Sequence, residues 1–236
     1  FINPAVQLVY EPGSVAKSMT MAAAIDVGAI TPETTFYDPG YFTANGKTIR
    51  NADLKARGKI TMTNVIENSI NTGIIFAEQK MGNKTFYEYL LKFGYKSLTG
   101  IDLPGEVAGR LTPLEKDPRA MNFATAAYGQ GISNTPIGII TALSAIANHG
   151  IIKKPYITEG AMAGLPAEAL QRRVISDETA TAVTQMMVSA VNVNKVAVIP
   201  NYKVAAKTGT AYVPDFKNGG YTKDVINTYV GFAPAT

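Results

Sequence analysis

The sequence of 236 residues contains no cysteine and a single histidine, His149. The absence of cysteine excludes disulfide bonds, thiolate metal ligands and a cysteine nucleophile. A single histidine also excludes a metal site built on two histidines. His149 follows an apolar helical stretch and precedes Gly150, a pattern typical of the C-terminal end of a helix. No acidic residue stands near it in the sequence to orient it as a catalytic base.

Long apolar runs and clusters of basic residues are also missing. No uninterrupted apolar stretch approaches the ~20 residues that a membrane helix needs, and residues 1–20 lack the pattern of a signal peptide. The 22 basic and 18 acidic residues give a net charge of only +4, and no basic stripe indicates a nucleic-acid partner. The hydrophobic fraction of 46% is typical of a globular protein long enough to bury a sizeable core.

The order of predicted elements indicates an α+β fold. Hydrophobic periodicity and end signals predict helices over residues 14–27, 62–70, 72–82, 83–94, 135–150 and 176–191. Asn45-Gly46, within residues 41–53, predicts a hairpin with a type I′ turn. Residues 203–213 and 225–233 are β-type runs around a tip rich in glycine and asparagine, which predicts an antiparallel hairpin. No βαβ alternation occurs, so helices and antiparallel strands are segregated.

Three short motifs carry the functional signal, and each is weak alone. They are Ser14-x-x-Lys17, Ser69-x-Asn71, and Lys207-Thr208-Gly209 followed by Thr210. About one Ser-x-x-Lys match is expected by chance in a chain of this length. Together, in this order and in these predicted structural contexts, the motifs match the set typical of penicillin-binding proteins and class A β-lactamases.

The first motif has a structural and a chemical interpretation. Ser14 could cap the helix that begins there, with Lys17 as a solvated helical residue. Alternatively, Ser14 is a nucleophile, and Lys17, one turn later on the same face, is the base that activates it. Lys17 would then have to be neutral, which burial or a nearby cation such as Lys207 favours. A helix start also offers backbone amides to a developing oxyanion.

The chain resembles the transpeptidase domain of class B penicillin-binding proteins over almost its whole length. The matching blocks, in family order, are YEPGSVAKSMTMAAAIDVG, ENSINTGIIFAEQKMG, TGIDLPGEVAG, AAYGQGISNTPIGIITALSAIANHG, AAKTGTA and YVGFAPA. The segment YGQGISNTP recurs in penicillin-binding proteins rather than in secreted β-lactamases. The resemblance implies an antiparallel sheet packed by helices, together with an all-α lobe.

The resemblance also implies roles for individual residues. Ser14 would be the acylated nucleophile, and the amides of Ser14 and Thr210 would form the oxyanion hole. Gly13 would let the substrate backbone approach closely. Ser69 would relay a proton between Lys17 and the leaving or attacking amine.

The remaining implied roles concern substrate binding. Asn71 would hydrogen-bond the substrate amide. Gly209 would keep the strand surface open for an extended peptide. The residues implied to bind the substrate carboxylate share the late strand: Lys207, Thr208 and Thr210.

The implied function is peptidoglycan D,D-transpeptidation through a serine acyl-enzyme, inhibited by β-lactams, with no metal or cofactor. A D-Ala-D-Ala stem peptide would be the donor and an amine of another stem peptide the acceptor. A serine β-lactamase and a non-enzymatic β-lactam sensor stay open as alternatives. Asn71 and YGQGISNTP favour the transpeptidase, and no convincing glutamate for activating water can be located in the sequence.

The resemblance implies one transpeptidase domain over residues 1–236, with a helical lobe at roughly 29–175 and a catalytic hairpin at roughly 203–233. Family members place sheet strands before the serine motif and after YVGFAPA, so we expect a chain cut at both ends of the sheet. We expect the full-length protein to be anchored at the outer face of the cytoplasmic membrane by a segment outside this chain. Its expected partner there is a membrane glycan polymerase.

Overall fold

The structure is a computed structural model that describes residues 1–215 and 217–235. Its helices are α1 Pro4–Gln7, α2 Ala16–Asp26, α3 Met62–Glu67, α4 Asn71–Met81, α5 Asn83–Lys92, α6 Ala120–Ala127, α7 Pro136–Ala147, α8 Ala167–Leu170 and α9 Asp177–Asn194. Short 3₁₀ turns occupy Gly13–Val15, Thr112–Leu114 and Glu159–Met162. The strands are β1 Thr35–Asp38, β2 Tyr41–Ala44, β3 Lys47–Arg50, β4 Gly58–Thr61, β5 Ile151–Lys153, β6 Gln171–Arg173, β7 Ala205–Pro214 and β8 Tyr221–Phe232.

The strands pair as antiparallel couples: β1 with β4, β2 with β3, β5 with β6, and β7 with β8. The β7–β8 hairpin is much the longest, and its register sets Lys207 opposite Val230 and Gly209 opposite Thr228. The predicted antiparallel hairpin is therefore confirmed, although β8 begins four residues earlier than residue 225. Phe216, in the predicted tip, lies outside the described residues.

Helix α2 is the central element of the core. Its residues from Ala16 to Ala24 are all buried, and it contacts α4, α5, α7 and α9. The run of three alanines at 22–24 leaves room for close approach of these neighbours. Because α2 lies inside the molecule from its first turn, the lysine in that turn is buried with it.

The helix that begins near Ser14 has a different start from the predicted one. Residues Gly13–Val15 form a 3₁₀ turn, and the α-helix begins only at Ala16. The N-cap positions are Pro12 for the turn and Val15 for the helix, and neither cap is made by a side chain. The interpretation of Ser14 as an N-cap is therefore wrong, because Ser14 lies inside the turn.

Two local predictions are confirmed. The type I′ turn joins β2 to β3, with positive φ angles of 49° at Asn45 and 72° at Gly46. The predicted helices 62–70 and 72–82 correspond to α3 and α4. They are separated by a break at residues 68–70, where Ser69 has a φ of 54°.

The span 29–175 also contains short strands that the sequence did not predict: β1, β4, β5 and β6. Each has only three or four residues, and the β1–β4 pair joins Thr35 to Thr61 without an intervening two-residue turn. Such pairing depends on tertiary packing rather than on a local turn signal. Within the described residues, no helix combines the length and the apolar character needed to cross a membrane.

Candidate active site

The 3₁₀ turn that carries Ser14 packs closely against two other backbone segments, at Thr210 and at Gly129. Gly13 has a φ of +56°, and a Cβ added there would lie 2.7 Å from the Thr210 carbonyl oxygen. On the other side, the Gly13 amide donates to the Gly129 carbonyl over 3.1 Å, and a Cβ on Gly129 would collide with the Gly13 carbonyl. Glycine at 13 is therefore required by packing, a role that the sequence did not indicate.

Strand β7 also approaches this turn too closely for a side chain at Gly209. A Cβ added at Gly209 would lie 2.8 Å from the Pro12 carbonyl oxygen and 2.9 Å from a methyl of Val15. Glycine there lets the serine turn approach the strand, a role that the sequence did not indicate. The neighbouring Thr208 and Thr210 alternate to the opposite, exposed face.

Lys17 has no solvent-exposed surface, and its amine lies among groups from a distant part of the chain. The Lys17 Nζ atom is 2.5 Å from the Ser69 carbonyl oxygen, 3.2 Å from Ser69 Oγ and 2.8 Å from Asn71 Oδ1. No hydrogen bond joins the Lys17 amine to the Ser14 hydroxyl among the described residues. The hydrogen-bond partners of the Lys17 amine are therefore Ser69 and Asn71, which the spacing of Ser14 and Lys17 in the sequence did not indicate.

The Ser69 hydroxyl lies between two amines. Its oxygen is 3.2 Å from Lys17 Nζ and 2.9 Å from Lys207 Nζ, and the Lys207 amine also donates to the Thr208 carbonyl over 3.1 Å. A hydroxyl has one proton and two lone pairs. It can therefore accept from a charged Lys207 while donating to a neutral Lys17.

The electrostatics favour that distribution of protons. Burial lowers the pKa of Lys17 well below its ordinary value, and the positive charge of Lys207 lowers it further. Burial lowers the pKa of Lys207 to about 8. Because two ammonium groups around one hydroxyl repel each other, Lys17 is the amine that gives up its proton first.

Asn71, the first residue of α4, is held from both ends of its amide. Its oxygen accepts from Lys17 Nζ, and its Nδ2 donates to the Arg50 carbonyl at the end of β3 over 2.9 Å. These two partners fix which end of the amide faces Lys17. The end of β3 is thereby tied to the start of α4.

The three motifs meet at one cleft of about 530 Å³. The predicted site residues that line it are Ser14, Ser69, Asn71, Thr208, Gly209 and Thr210. Lys17 and Lys207 are not in its lining, and they lie just behind Ser69, to which both amines hydrogen-bond. The structure thus brings all eight predicted site residues together.

The sequence did not indicate the other residues that line the cleft. They are residues 48–52, at β3 and just after it, together with Leu54, Tyr128, Gln130, Tyr212 and Tyr221. Tyr128 and Gln130 belong to the YGQGISNTP segment, which was a usable signal. Residues 48–52 gave none, because only the folded position of the β2–β3 hairpin brings them to the cleft.

His149 lies away from this cleft, beyond the end of α7, with its Nδ1 atom 2.8 Å from Asp177 Oδ1. Within residues 1–215 and 217–235, no group of three or more histidine, cysteine, aspartate or glutamate side chains is arranged to hold a metal ion.

Comparisons with known proteins agree with the geometry. The family model described as penicillin binding protein transpeptidase domain matches residues 1–236. Stage V sporulation protein D of Bacillus subtilis is 34% identical over 99% of this chain and 37% of its own length. Peptidoglycan D,D-transpeptidase MrdA of Escherichia coli K12 is 32% identical over 66% of this chain and 26% of its own length.

Among solved structures, penicillin binding protein 3 of Mycobacterium tuberculosis matches with a TM-score of 0.87 and 32% identity, over 99% of this chain and 55% of that one. The same protein is also known in complexes with aztreonam and ampicillin. The chain spans less than two fifths of the length of the curated relatives named above and about half of this solved chain. With these matches and the three motifs at one cleft, the chain belongs to the penicillin-binding protein transpeptidase domain family.

Proposed function

We propose that the protein containing this chain is a peptidoglycan D,D-transpeptidase that works through a serine acyl-enzyme. The observation that carries the proposal is the Ser69 hydroxyl between the amines of Lys17 and Lys207, in a cleft shared with Ser14. One amine is driven towards neutrality and the other retains more positive charge. This arrangement supplies a base, a proton relay and a fixed cation beside one serine.

In the proposed acylation, Ser14 Oγ attacks the carbonyl carbon of the penultimate D-Ala, and Lys17 Nζ accepts the hydroxyl proton. The C–N bond to the terminal D-Ala then breaks, and the leaving nitrogen receives a proton through the Ser69 hydroxyl. The structure shows no hydrogen bond between the Lys17 and Ser14 side chains, both of which it describes. Such contacts often tighten only when substrate is bound.

In the proposed second half-reaction, an amine of another stem peptide attacks the acyl carbonyl. Its proton passes through the same groups to Ser14 Oγ as the ester bond breaks and a new amide forms. The amides of Ser14 and Thr210 would stabilise the oxyanion in both halves. Support for this comes from the packing of Gly13 against the Thr210 carbonyl, which sets the two backbones side by side.

Binding of the donor peptide is assigned to strand β7. Thr208 and Thr210 project on the exposed face, where their hydroxyls would bind the terminal carboxylate of the substrate. The Lys207 amine lies behind them, and its charge would favour the same carboxylate. Asn71 would hydrogen-bond the substrate amide from the opposite side.

The lining of the cleft argues against a β-lactamase. None of its described lining residues is an aspartate or a glutamate. A penicillin adduct on Ser14 would therefore lack a carboxylate to activate the deacylating water and would persist. β-Lactams are accordingly expected to act as inhibitors of this protein.

Several further attributes belong to the same proposal. Residues 1–236 would form one transpeptidase domain, with a helical lobe at roughly 29–175 and a catalytic hairpin at roughly 203–233. The whole protein would act on the outer face of the bacterial cytoplasmic membrane and cooperate there with a membrane glycan polymerase. The relatives with cell-wall names and the complexes with aztreonam and ampicillin support the substrate and inhibitor classes.

The test uses a stem peptide ending in D-Ala-D-Ala and an amine acceptor, with mass spectrometry of the products. A transpeptidase releases D-Ala and forms a new amide between donor and acceptor. A protein that forms a stable penicillin adduct but turns over no peptide is a sensor, and one that hydrolyses penicillin rapidly is a β-lactamase. Either of these two results would overturn the proposed function.

A further inference from the structure

A buried hydrogen-bond network lies beneath the cleft and is centred on Asp38. This carboxylate, at the end of β1, has no exposed surface and forms no salt bridge among the described residues. It is held by donated hydrogen bonds from the Gly40 amide (2.8 Å), the Thr72 hydroxyl (2.7 Å) and Asn51 Nδ2 (3.1 and 3.0 Å to its two oxygens). A buried carboxylate with this many donors is strongly fixed in place.

Asn51 links the Asp38 carboxylate to helix α4 by hydrogen bonds to both. Its Nδ2 faces Asp38 and also donates to the Lys55 carbonyl over 3.0 Å, so its amide oxygen must point the other way. That oxygen accepts from the Thr72 backbone amide over 3.2 Å. The N-cap residue of α4, Ile70, provides no side-chain cap, so an amide of the first turn is satisfied by Asn51, the residue after β3, instead.

The network then reaches the predicted catalytic residues. Thr72 directly follows Asn71, whose Nδ2 donates to the carbonyl of Arg50, the residue before Asn51. Arg50, the last residue of β3, and Asn51 after it therefore hydrogen-bond to two adjacent residues at the start of α4. Ser69 lies two positions before Asn71, so a shift of the start of α4 would also move the hydroxyl that lies between the two lysines.

We propose that Asp38 is a positioning residue of the active site, holding Asn71 and Ser69 against Lys17 and Lys207 through Asn51 and Thr72. This inference rests on the proposed function. Asp38 is not among the residues that line the cleft, so it would act only through its neighbours. Misplacement of reacting groups by about 1 Å costs on the order of 100-fold in rate.

The substitution Asp38→Asn tests the proposal with almost no change of volume. It replaces one acceptor oxygen by a donor that would face Asn51 Nδ2. If the amide of Asn51 turned over to accept from the new donor, its own NH₂ would face the amide of Thr72. In the first orientation two NH₂ groups face each other and one of them has no acceptor, and in the second the Thr72 amide loses its acceptor. We expect either arrangement to displace Asn51 from its place against the start of α4.

The measurement is acylation by penicillin, resolved into the rate constant at saturation and the apparent dissociation constant. We expect Asp38→Asn to lower the saturating rate constant by about 100-fold and to shift the pH at which the rate is half-maximal, because Lys17 loses its fixed partners. The endpoint of the titration, which counts acylatable molecules, should stay near that of the parent protein. A purely structural role would instead reduce that count and leave the rate constant and pH midpoint of the folded molecules unchanged, which would overturn the proposal.

Two variants sharpen the test. The double variant Asp38→Asn with Asn51→Asp keeps acceptors for both Thr72 donors but removes the hydrogen bond to the Lys55 carbonyl. We therefore expect a partial recovery, to a rate constant at least about tenfold above that of Asp38→Asn. Thr72→Val removes only the hydroxyl donor at similar volume and should lower the rate constant about tenfold. It also decides the question if Asp38→Asn does not fold, since an unchanged rate in Thr72→Val would contradict the proposed role.

The matched control is Asp26→Asn. Asp26 ends α2, about 13 Å along the helix from Lys17, and accepts hydrogen bonds from the Ser176 amide and the Tyr89 hydroxyl. Its substitution should leave the acylation rate constant unchanged, and an equal loss there would overturn the assignment to Asp38. If the parent protein is not acylated at Ser14 at all, the proposed function fails rather than this inference.

Discussion

The Lys207 amine donates a hydrogen bond to the Ser69 hydroxyl over 2.9 Å and thereby joins residues 138 positions apart in the sequence. Because Lys17 lies on the other side of that hydroxyl, each amine influences the protonation of the other. The protonation of both amines therefore depends on the position of β7 relative to the break between α3 and α4. This coupling leads to the predictions below.

The first prediction concerns Lys17 as a neutral base. Lys17→Arg keeps a positive charge because a guanidinium group does not lose its proton in proteins. The rate of acylation by penicillin should therefore fall by about 100-fold or more. Stopped-flow acylation rates check this. Lys84→Arg, at an exposed position on α5, is the matched control and should acylate normally. A normal rate in Lys17→Arg would refute the role of base.

The second prediction is the pH profile of acylation. The rate should rise with pH as Lys17 loses its proton, at a midpoint well below the ordinary lysine pKa, because burial and Lys207 lower it. It should fall again above pH 8 as Lys207, whose pKa is lowered by burial to about 8, loses the charge that binds the substrate carboxylate. Lys207→Arg, though slower, should lose the alkaline decline. A decline that persists at the same pH in this variant would contradict the assignment.

The third prediction concerns Gly129. A Cβ there would collide with the Gly13 carbonyl, and the φ of +86° disfavours any side chain. Gly129→Ala should therefore cost about 1–3 kcal/mol of stability and displace the Ser14 turn, lowering acylation at least tenfold. Gly82→Ala is the control, since Gly82 has a φ of +84° but nothing within 4 Å of an added Cβ. It should lose stability without loss of acylation rate, and equal effects in the two variants would exclude the packing argument.

The fourth prediction concerns the stability of the fold as a function of pH. Glu78 on α4 is buried, its Oε1 has no hydrogen-bond partner among the described residues, and burial raises its pKa to about 7. A carboxyl whose pKa is raised from about 4.5 binds its proton more tightly in the folded state. Its contribution is therefore complete below about pH 4.5 and is lost as pH rises through about 7.

Urea unfolding at pH 5 and at pH 8 measures this effect. Glu78→Gln should remove a loss of about 2–3 kcal/mol between the two pH values, which is the part of the free energy of this pKa shift that falls between pH 5 and pH 8. Glu88→Gln, at an exposed position of α5, should keep the pH dependence of the parent protein. If Glu78→Gln keeps it too, another group is responsible.

The sequence predicted the parts of the site that are encoded locally. Ser14 and Lys17 are three residues apart at one helix start, and Ser69 and Asn71 lie at a break between two helical patterns. These features depend on hydrogen bonds and periodicity within a few residues, which sequence patterns report well. The family resemblance then predicted that the three motifs would lie near one another.

The contacts between motifs could not be predicted in the same way. That the Lys17 amine hydrogen-bonds to Ser69 and Asn71 rather than to Ser14 depends on how α2 and α4 pack. The need for glycine at 13 and 209 arises from the approach of the serine turn to β7, which neither segment reveals alone. Asp38 gave no signal because its partners, Asn51 and Thr72, come from different elements.

The most direct test of the account is the identity of the acylated residue. The purified protein is labelled with penicillin, digested and analysed by mass spectrometry, alongside Ser14→Ala and the exposed-serine control Ser97→Ala. The account predicts one adduct, on Ser14, that persists in the parent protein and in Ser97→Ala and is absent from Ser14→Ala. An adduct on another residue, or equal labelling of Ser14→Ala, would contradict it.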